Sequence, residues 1–392
     1  MMLWLLWFVA LVLLFLSVWI VLPPPNFFWL QLAVGAPEVS PWLGFVGAIA
    51  LCLTVFVSRR APSTSSRLLI TVLIISLALS SLPLLQSPMA VASANQSVVA
   101  AFGKNSVAAN PKTATYPPFN GLNFVRGFPT TAVRHPEPVQ FATPDGQPLV
   151  MEVYQPPVPG QYPAVVILYG GGWVEGDASE NEALGRFLAA RGYVVVALEY
   201  RLAPNYQFPA QLADVRQGLA FVRSPATALE IAVDRIALMG WSAGAHLSML
   251  AGFQNEPGAA SIVNFYGPVD LAAGYAKPPV PDPLDVRQVL IAFLGGPPND
   301  LPEAYAEASP ITYVRSAQSD SLPPVLLIYG GRDHIVEPKY GRFLYEQLLA
   351  SGNTAVWVDI PWAEHAFDKI FNGVSNQLAL HFVERFLAQT LL

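Results

Sequence analysis

Three long apolar segments occupy the first part of the chain, where polar side chains are rare. The first covers residues 2–22, is interrupted only by Ser17, and ends at three consecutive prolines. The other two cover residues 42–57 and 68–85. A helix needs about 20 apolar residues to cross a bilayer, so the first segment has the length of a span, whereas the two shorter ones could also be buried helices. The pattern predicts a membrane anchor over residues 1–86 with about three transmembrane helices.

The few charged residues of this region indicate how the anchor is oriented. The connection between the second and third segments carries Arg59, Arg60 and Arg67, whereas the connection between the first and second carries only Glu38. Loops rich in Arg and Lys stay in the cytoplasm, so we expect the arginine loop there. With three spans, the sequence predicts a multi-pass membrane protein whose large C-terminal domain lies on the extracytoplasmic side.

Residues 87–138 show no clear periodicity and are rich in Ser, Ala, Asn and Pro, which predicts a linker. Within it, the small-residue run 90–94 follows Arg67 and an apolar segment, and it also resembles the cleavage site of a secretory signal. Cleavage at this point would release the C-terminal domain from the membrane. Such a signal would be internal to the chain, which favours an anchor that stays attached.

From residue 139 onwards, short apolar runs alternate with helical patterns. Several of the strand-like runs are continuously apolar, as expected for strands that are buried on both faces of a parallel sheet. The eight runs cover residues 140–142, 149–154, 164–168, 193–198, 235–239, 261–265, 324–329 and 355–360. Helical patterns lie at residues 180–191, 209–223, 243–253, 339–351 and 377–389. The alternation predicts a doubly wound, mostly parallel α/β domain over residues 139–392.

Residues 240–244 read Gly-Trp-Ser-Ala-Gly and connect a predicted strand to a predicted helix. This is the context that a G-x-S-x-G nucleophile elbow requires, because the glycines permit a tight turn that exposes the serine at the head of a helix. A chance Gly/Ser turn is the alternative, and the strand before and the helix after disfavour it. Ser242 is therefore the predicted nucleophile.

A glycine loop at residues 170–172 directly follows the predicted strand 164–168. Without side chains in the way, its backbone N–H groups can converge on an oxygen that becomes negative during acyl transfer. We therefore predict an oxyanion hole made by the N–H groups of Gly171, Gly172 and Ala243. A purely structural turn is an alternative, whereas phosphate binding is disfavoured because the spacing matches neither of the known glycine-rich phosphate loops.

A nucleophilic serine needs a histidine as base, and the chain has five histidines. His365 lies between the last predicted strand and the last predicted helix, where the base is expected, and His334 is its competitor. The other three are expected to be structural or on the surface: His135 precedes the domain, while His246 and His381 lie within predicted helices.

The base in turn needs an acid, and three carboxylates are candidates. Asp333 follows the strand 324–329, where the acid of a Ser–Asp–His order belongs. Glu364 is adjacent to His365, but adjacent side chains rarely face each other well enough to form the required hydrogen bond. Asp270 follows the preceding strand and is a weaker alternative. The predicted catalytic triad is Ser242, Asp333 and His365.

Together these motifs resemble those of the α/β-hydrolase esterases, in particular the hormone-sensitive-lipase-like and feruloyl-esterase-like groups, and they are similar to the plant prenylcysteine methylesterases. Residues 199–204 (Glu-Tyr-Arg-Leu-Ala-Pro) look like the family's Asp-Tyr-Arg-Leu-Ala-Pro segment. The resemblance covers about residues 139–391 and implies a structural role for Arg201 and Asp214. One departure is Tyr169, at a position where the family usually has a histidine that is not the base.

The resemblance implies an α/β-hydrolase fold and a serine esterase that forms an acyl-enzyme, with no metal and no organic cofactor. The expected substrate is a small-molecule or lipid-like ester, and Trp173 and Trp241 are expected to line its pocket. The long segment 272–310 is a candidate cap over the site. A peptidase or amidase could use the same triad, and a non-catalytic binding module is a further alternative. The net charge of −6 without a basic stripe argues against a nucleic-acid partner.

Overall fold

One eight-stranded sheet forms the centre of the C-terminal domain in the computed structural model, which describes residues 2–107, 116–129, 132–224, 229–254 and 258–392. Its strands are β1 (Val139–Ala142), β2 (Leu149–Tyr154), β3 (Tyr162–Leu168), β4 (Val194–Leu198), β5 (Ile231–Trp241), β6 (Ser261–Phe265), β7 (Val325–Gly330) and β8 (Ala355–Ile360). Their order in the sheet is β1-β2-β4-β3-β5-β6-β7-β8. Strands β3 to β8 are parallel to one another, whereas β2 pairs antiparallel with β4, and β1 pairs antiparallel with β2.

Fourteen α-helices are present in the described part of the chain. Those before the sheet are α1 (Met2–Ser17), α2 (Phe27–Glu38), α3 (Ser40–Arg60), α4 (Thr64–Phe102) and α5 (Gly121–Arg126). Those that follow are α6 (Glu182–Ala189), α7 (Ala210–Arg223), α8 (Ala243–Phe253), α9 (Leu271–Ala276), α10 (Val286–Leu294), α11 (Pro302–Glu307), α12 (Pro310–Ser316), α13 (Pro338–Ala350) and α14 (Val374–Leu391). An apolar cluster covers each face of the sheet, so its central strands are buried on both sides. The predicted doubly wound sheet is confirmed.

Three N-terminal helices pack side by side, and each is long and apolar enough to cross a membrane. They are α1 with the 3₁₀ turn Val18–Ile20, α3 and α4. Small and hydroxylated residues lie where the helices meet: the hydroxyls of Ser17 and Ser80 are 2.9 Å apart, and Gly44 faces Leu77. Contacts of this kind hold helices together where the surroundings are as apolar as the side chains.

Helix α4 corrects the predicted linker, because it continues to Phe102, well past the predicted boundary at residue 86. Ala90, Ala94 and Val98 recur every fourth residue and are buried against the sheet. Ser97 Oγ accepts a hydrogen bond of 2.8 Å from the backbone N–H of Trp357 in the edge strand β8. Packing on this edge keeps the segment helical, and it buries Ala90 and Ala94 of the small-residue run that resembles a cleavage site. Residues 108–115 and 130–131 of the predicted linker lie outside the described residues.

Candidate active site

Ser242 lies in a strained turn between β5 and α8. Its backbone has φ 49° and ψ −114°, a conformation that is costly for a residue with a side chain and is typical of functional sites. The turn is tight enough that a Cβ on Gly244 would lie 2.0 Å from the carbonyl oxygen of Leu168, so only glycine fits. The backbone N–H of Ser242 donates to the carbonyl of Phe265 at 2.9 Å, which continues the pairing with β6 up to the serine.

The glycine loop lies directly beside Ser242. A Cβ on Gly170 would be only 3.6 Å from the Cβ of Ser242. Gly171 has φ +113°, and a Cβ there would overlap the carbonyl oxygen of Glu175 at 2.2 Å, so the loop also requires glycine. Ala243 is the first residue of α8, where a backbone N–H has no acceptor within its own helix. The three predicted oxyanion-hole residues are thus neighbours of Ser242.

Tyr169, the departure from the family pattern, holds the start of the glycine loop. Its hydroxyl donates to the carbonyl of Tyr200 at 3.2 Å, and the hydroxyl of Tyr200 donates back to the carbonyl of Tyr169 at 3.0 Å. The two rings stack with centroids 4.3 Å apart. This reciprocal pair fixes the backbone that leads into the glycines.

His365 and Asp333 form a buried hydrogen-bonded pair on the loops that follow β8 and β7. His365 Nδ1 lies 2.7 Å from Asp333 Oδ2, and the other carboxylate oxygen accepts from the N–H groups of Ile335 and Val336. Carboxyl ends of parallel strands meet at one edge of a sheet, which is why the two loops come together here. Burial alone would lower the pKa of His365, but Asp333 together with Glu364 and Asp368 raises it above its ordinary value of 6.5.

Ser242 and His365 line the same cavity. No direct hydrogen bond joins the serine hydroxyl to the imidazole in the part of the chain that the structure describes, and such bonds often tighten only when substrate is bound. The ring of Tyr266 packs against His365 with centroids 4.4 Å apart, which fixes the imidazole from the side.

The alternative acids and bases have other partners. Glu364 Oε2 lies 2.6 Å from His334 Nδ1, so its carboxylate faces that histidine and not the imidazole of His365. Asp270 caps α9 through the N–H of Ala273. His246 is fully buried in α8, its Nε2 lies 2.6 Å from the carbonyl of Ala308, and burial lowers its pKa to about 4.

Two cavities meet at Ser242, and the predicted pocket residues divide between them. The large cavity has a volume of about 770 Å³ and is lined by Trp241 and His365. The small one has about 70 Å³ and is lined by Trp173, whose ring stacks on Phe293 with centroids 4.1 Å apart. The segment predicted to cap the site contributes to both, because Leu284 and Val289 line both cavities.

Sequence reasoning missed one wall of the large cavity, which belongs to α2. Five residues of this helix face the cavity: Phe27, Leu30, Gln31, Val34 and Gly35. Their spacing of i, i+3, i+4, i+7 and i+8 is that of a single helix face. This helical spacing could not be recognised in the sequence because the neighbouring positions are also apolar.

A mostly parallel eight-stranded sheet, a serine at a strand-to-helix elbow and a His–Asp pair on the last two loops together define an α/β-hydrolase. The chain matches the BD-FAE family over residues 151–348, and it belongs to this family. The predicted resemblance to the α/β-hydrolase esterases is confirmed.

Several proteins named as esterases are similar to this chain. Esterase LipC of Mycobacterium tuberculosis is 30% identical over 243 residues, which cover 58% of each chain. The probable isoprenylcysteine alpha-carbonyl methylesterase ICMEL2 of Arabidopsis thaliana is 27% identical over 217 residues, or 51% of this chain and 50% of the relative. The match thus spans less than two-thirds of either relative. A solved structure of a hyperthermophilic esterase from Pyrobaculum calidifontis has a TM-score of 0.56 and 26% identity, and covers 66% of this chain and 87% of its own.

Proposed function

We propose that this protein is a membrane-anchored carboxylic ester hydrolase that uses Ser242, His365 and Asp333. The observation that carries the proposal is the buried His365–Asp333 pair, which opens onto the cavity that also contains Ser242. The esterase names of the relatives support the reaction class. Ester hydrolysis needs a nucleophile, a base held in one orientation and a site for the oxyanion, and each has a counterpart in this arrangement.

The reaction proceeds in two halves. Ser242 Oγ attacks the ester carbonyl while His365 Nε2 takes its proton, and the carbonyl oxygen becomes an oxyanion. Asp333 holds the imidazole by its Nδ1–H and stabilises the charged form. The N–H groups of Gly171, Gly172 and Ala243 accommodate the oxyanion. His365 then returns the proton to the alcohol oxygen, which leaves, and water attacks the acyl-enzyme in the same way to release the acid.

The surface of the three N-terminal helices supports the anchor. Large apolar side chains point outwards along all three helices and are more than 45% exposed, as at Trp4, Phe8, Phe45, Phe56 and Ile74. An apolar surface of this extent supports contact with lipid. Arg59 and Arg60 lie at the end of the helix group opposite to the sheet, so the positive-inside tendency puts the catalytic domain on the extracytoplasmic side.

Labelling with a fluorophosphonate probe tests the catalytic proposal on the full-length protein. We expect wild type to be labelled and to hydrolyse p-nitrophenyl acetate, and Ser242→Ala to do neither. Ser248→Ala is the matched control, because its hydroxyl is buried in the same helix and has no hydrogen-bond partner in the described part of the chain. Loss of labelling in Ser248→Ala alone, or persistence in Ser242→Ala, would contradict the assignment. Hydrolysis of p-nitroanilides faster than esters would favour the amidase alternative.

Cysteine labelling in intact cells tests the topology. In a Cys52→Ser background, Val158→Cys places a thiol on the exposed surface of the catalytic domain, and Ala61→Cys places one in the arginine loop. A membrane-impermeant maleimide should label position 158 in intact cells and position 61 only after permeabilisation. The reverse pattern would place the catalytic domain in the cytoplasm.

A further inference from the structure

Helix α2 lies between the membrane-length helices and the catalytic site, and it has a contact face for each. The face formed by Leu30, Val34 and Gly35 lines the large cavity. On the other side, Ala36 packs with Trp19 and Ile20 at the end of the first membrane-length helix, and the ring of Trp29 stacks on Trp19 with centroids 4.8 Å apart. The anchor therefore supplies part of the wall of the active-site cavity.

The helix is attached to the catalytic domain at its C-terminal end. The carboxylate of Glu38 is fully buried, accepts a hydrogen bond of 2.9 Å from the backbone N–H of Ser375, and is also hydrogen-bonded to the Ser375 hydroxyl. This contact lies in the first turn of α14, where unpaired N–H groups favour a carboxylate. The cavity wall is thus fixed to the same domain that holds the triad.

The position of His365 indicates which part of an ester would occupy each cavity. The base must return its proton to the alcohol oxygen, so the alcohol part lies on the side of the imidazole. His365 lines the large cavity and is absent from the residues that line the small one, whereas Ser242 and Gly172 line both. The alcohol part therefore belongs in the large cavity beside α2, and the acyl part belongs in the small cavity beside Trp173.

The sizes of the two cavities differ greatly. The small cavity, at about 70 Å³, is much smaller than the large one, which favours a short acyl chain there. The large cavity of about 770 Å³ takes a long chain, and its α2 side presents Phe27, Leu30 and Val34 to it. The Lys369–Glu180 ion pair of 2.8 Å adds a polar part to the cavity lining.

The same helix lies at the level where the membrane surface is expected. Only six residues, 21–26, separate it from the first membrane-length helix, and only Val39 separates it from the second. Phe28 is 67% exposed and Trp42, at the start of α3, is 44% exposed. Aromatic side chains at such helix ends are typical of the boundary between lipid and water.

We propose that the substrates are short-acyl esters of long-chain, membrane-borne alcohols, whose alcohol chain lies against α2 and enters the large cavity from the bilayer surface. This proposal rests on the proposed esterase function and adds the substrate class.

Gly35 is the position in α2 where a substitution tests this proposal most directly. A Cβ on Gly35 meets no atom within 4 Å, and a helix tolerates Leu better than Gly, so Gly35→Leu narrows the cavity without disturbing the helix.

The test uses two isomeric esters that differ only in the direction of the ester bond, hexadecyl acetate and ethyl hexadecanoate. Each is incorporated at the same mole fraction into phosphatidylcholine vesicles that contain the full-length protein. Release of hexadecanol or hexadecanoic acid is measured after extraction. We expect wild type to prefer hexadecyl acetate by about tenfold or more. We expect Gly35→Leu to reduce the ratio of hexadecyl to butyl acetate hydrolysis by a similar factor.

Gly121→Leu is the matched control, because it is the same substitution at a glycine that also has open space and lies outside both cavities. Gly121→Leu should change neither the preference for hexadecyl acetate over ethyl hexadecanoate nor the ratio of hexadecyl to butyl acetate hydrolysis. A preference for ethyl hexadecanoate would overturn the assignment of the two cavities. Equal effects of Gly35→Leu and Gly121→Leu on the hexadecyl-to-butyl ratio would overturn the role of α2. If the wild type neither hydrolyses p-nitrophenyl acetate nor reacts with the fluorophosphonate probe, the esterase function itself fails, which is a distinguishable result.

Discussion

Glu38 and Ser375 are separated by 337 positions in the sequence, yet the carboxylate of the first accepts hydrogen bonds from both the backbone N–H and the hydroxyl of the second. The contact joins the segment between the first two membrane-length helices to the start of the last helix of the catalytic domain. It is completely buried, and a Cβ on the neighbouring Gly373 would lie 2.3 Å from the Glu38 carboxylate, so nothing larger than glycine fits. The segment between the first two membrane-length helices and the catalytic domain are therefore connected by a specific, closely packed contact.

Removing the acceptor at position 38 should weaken this connection. Glu38→Gln keeps a side-chain oxygen that can accept from Ser375, so we expect a small loss of stability. Glu38→Leu leaves the N–H of Ser375 buried and unpaired, which costs about 1–3 kcal/mol. Thermal unfolding of the detergent-solubilised full-length protein measures both. Equal melting temperatures for Glu38→Leu and wild type would show that the contact contributes nothing to stability.

The same carboxyl group should make stability depend on pH. Burial raises the pKa of Glu38 from its ordinary value of 4.5 to about 8, although the hydrogen bonds from Ser375 lower it and nearby Asp368 raises it further. The folded protein then holds a proton that the unfolded chain releases, so stability falls as pH rises between about 4.5 and 8, by at most about 1.4 kcal/mol per pH unit.

Other buried carboxyls contribute to the same window, such as Glu384, whose pKa burial raises to about 7. The informative quantity is therefore the difference between wild type and Glu38→Gln, which cannot titrate at this position. We expect the melting temperature of the variant to fall less steeply between pH 5 and 8. Parallel curves would mean that Glu38 does not change its protonation over this range.

Local constraints explain why the site could be predicted from the sequence. The tight turn at Ser242 demands glycine at fixed positions, because a Cβ on Gly244 would overlap the preceding strand. The positions of Asp333 and His365 follow from the rule that loops after parallel strands meet at one edge of the sheet. Strands β3 to β8 could be predicted for a similar reason, since burial on both faces leaves mostly continuous apolar runs.

Helix α2 could not be predicted because both of its faces are apolar for different reasons. One face packs on the first membrane-length helix and the other lines the cavity, so no polar face marks the helical period, and Gly35 and Pro37 argue against a helix. The second half of α4 was missed because Pro83 and Pro88 predict a helix end, each at a cost of ~3 kcal/mol in a helix interior. Packing against β8 depends on residues some 260 positions away, which no local pattern reveals.

The raised pKa of His365 predicts the pH below which esterase activity falls. Only the neutral imidazole can take the proton of Ser242, so protonation of His365 removes activity. Burial alone would lower the pKa, but Asp333, Glu364 and Asp368 raise it above 6.5, so the acidic limb of kcat/KM should lie above that value. A profile with p-nitrophenyl butyrate between pH 5 and 9 measures it. If the acidic limb of kcat/KM lies at or below pH 6.5, burial lowers the pKa of His365 by more than the carboxylates raise it.

The choice between Asp333 and Glu364 as the acid of the triad can be made with two isosteric variants. Asp333→Asn keeps the shape of the side chain that contacts His365 Nδ1 but loses the charge, and we expect kcat to fall by about 10⁴-fold. Glu364→Gln instead changes the partner of His334 and keeps an oxygen that accepts from the N–H of His365, so a loss below about tenfold is expected. Steady-state hydrolysis of p-nitrophenyl acetate measures both, with circular dichroism as the check that each variant is folded. Because the two carboxylates lie on adjacent loops and face different histidines, a larger loss in Glu364→Gln than in Asp333→Asn would assign the orienting role to Glu364 instead.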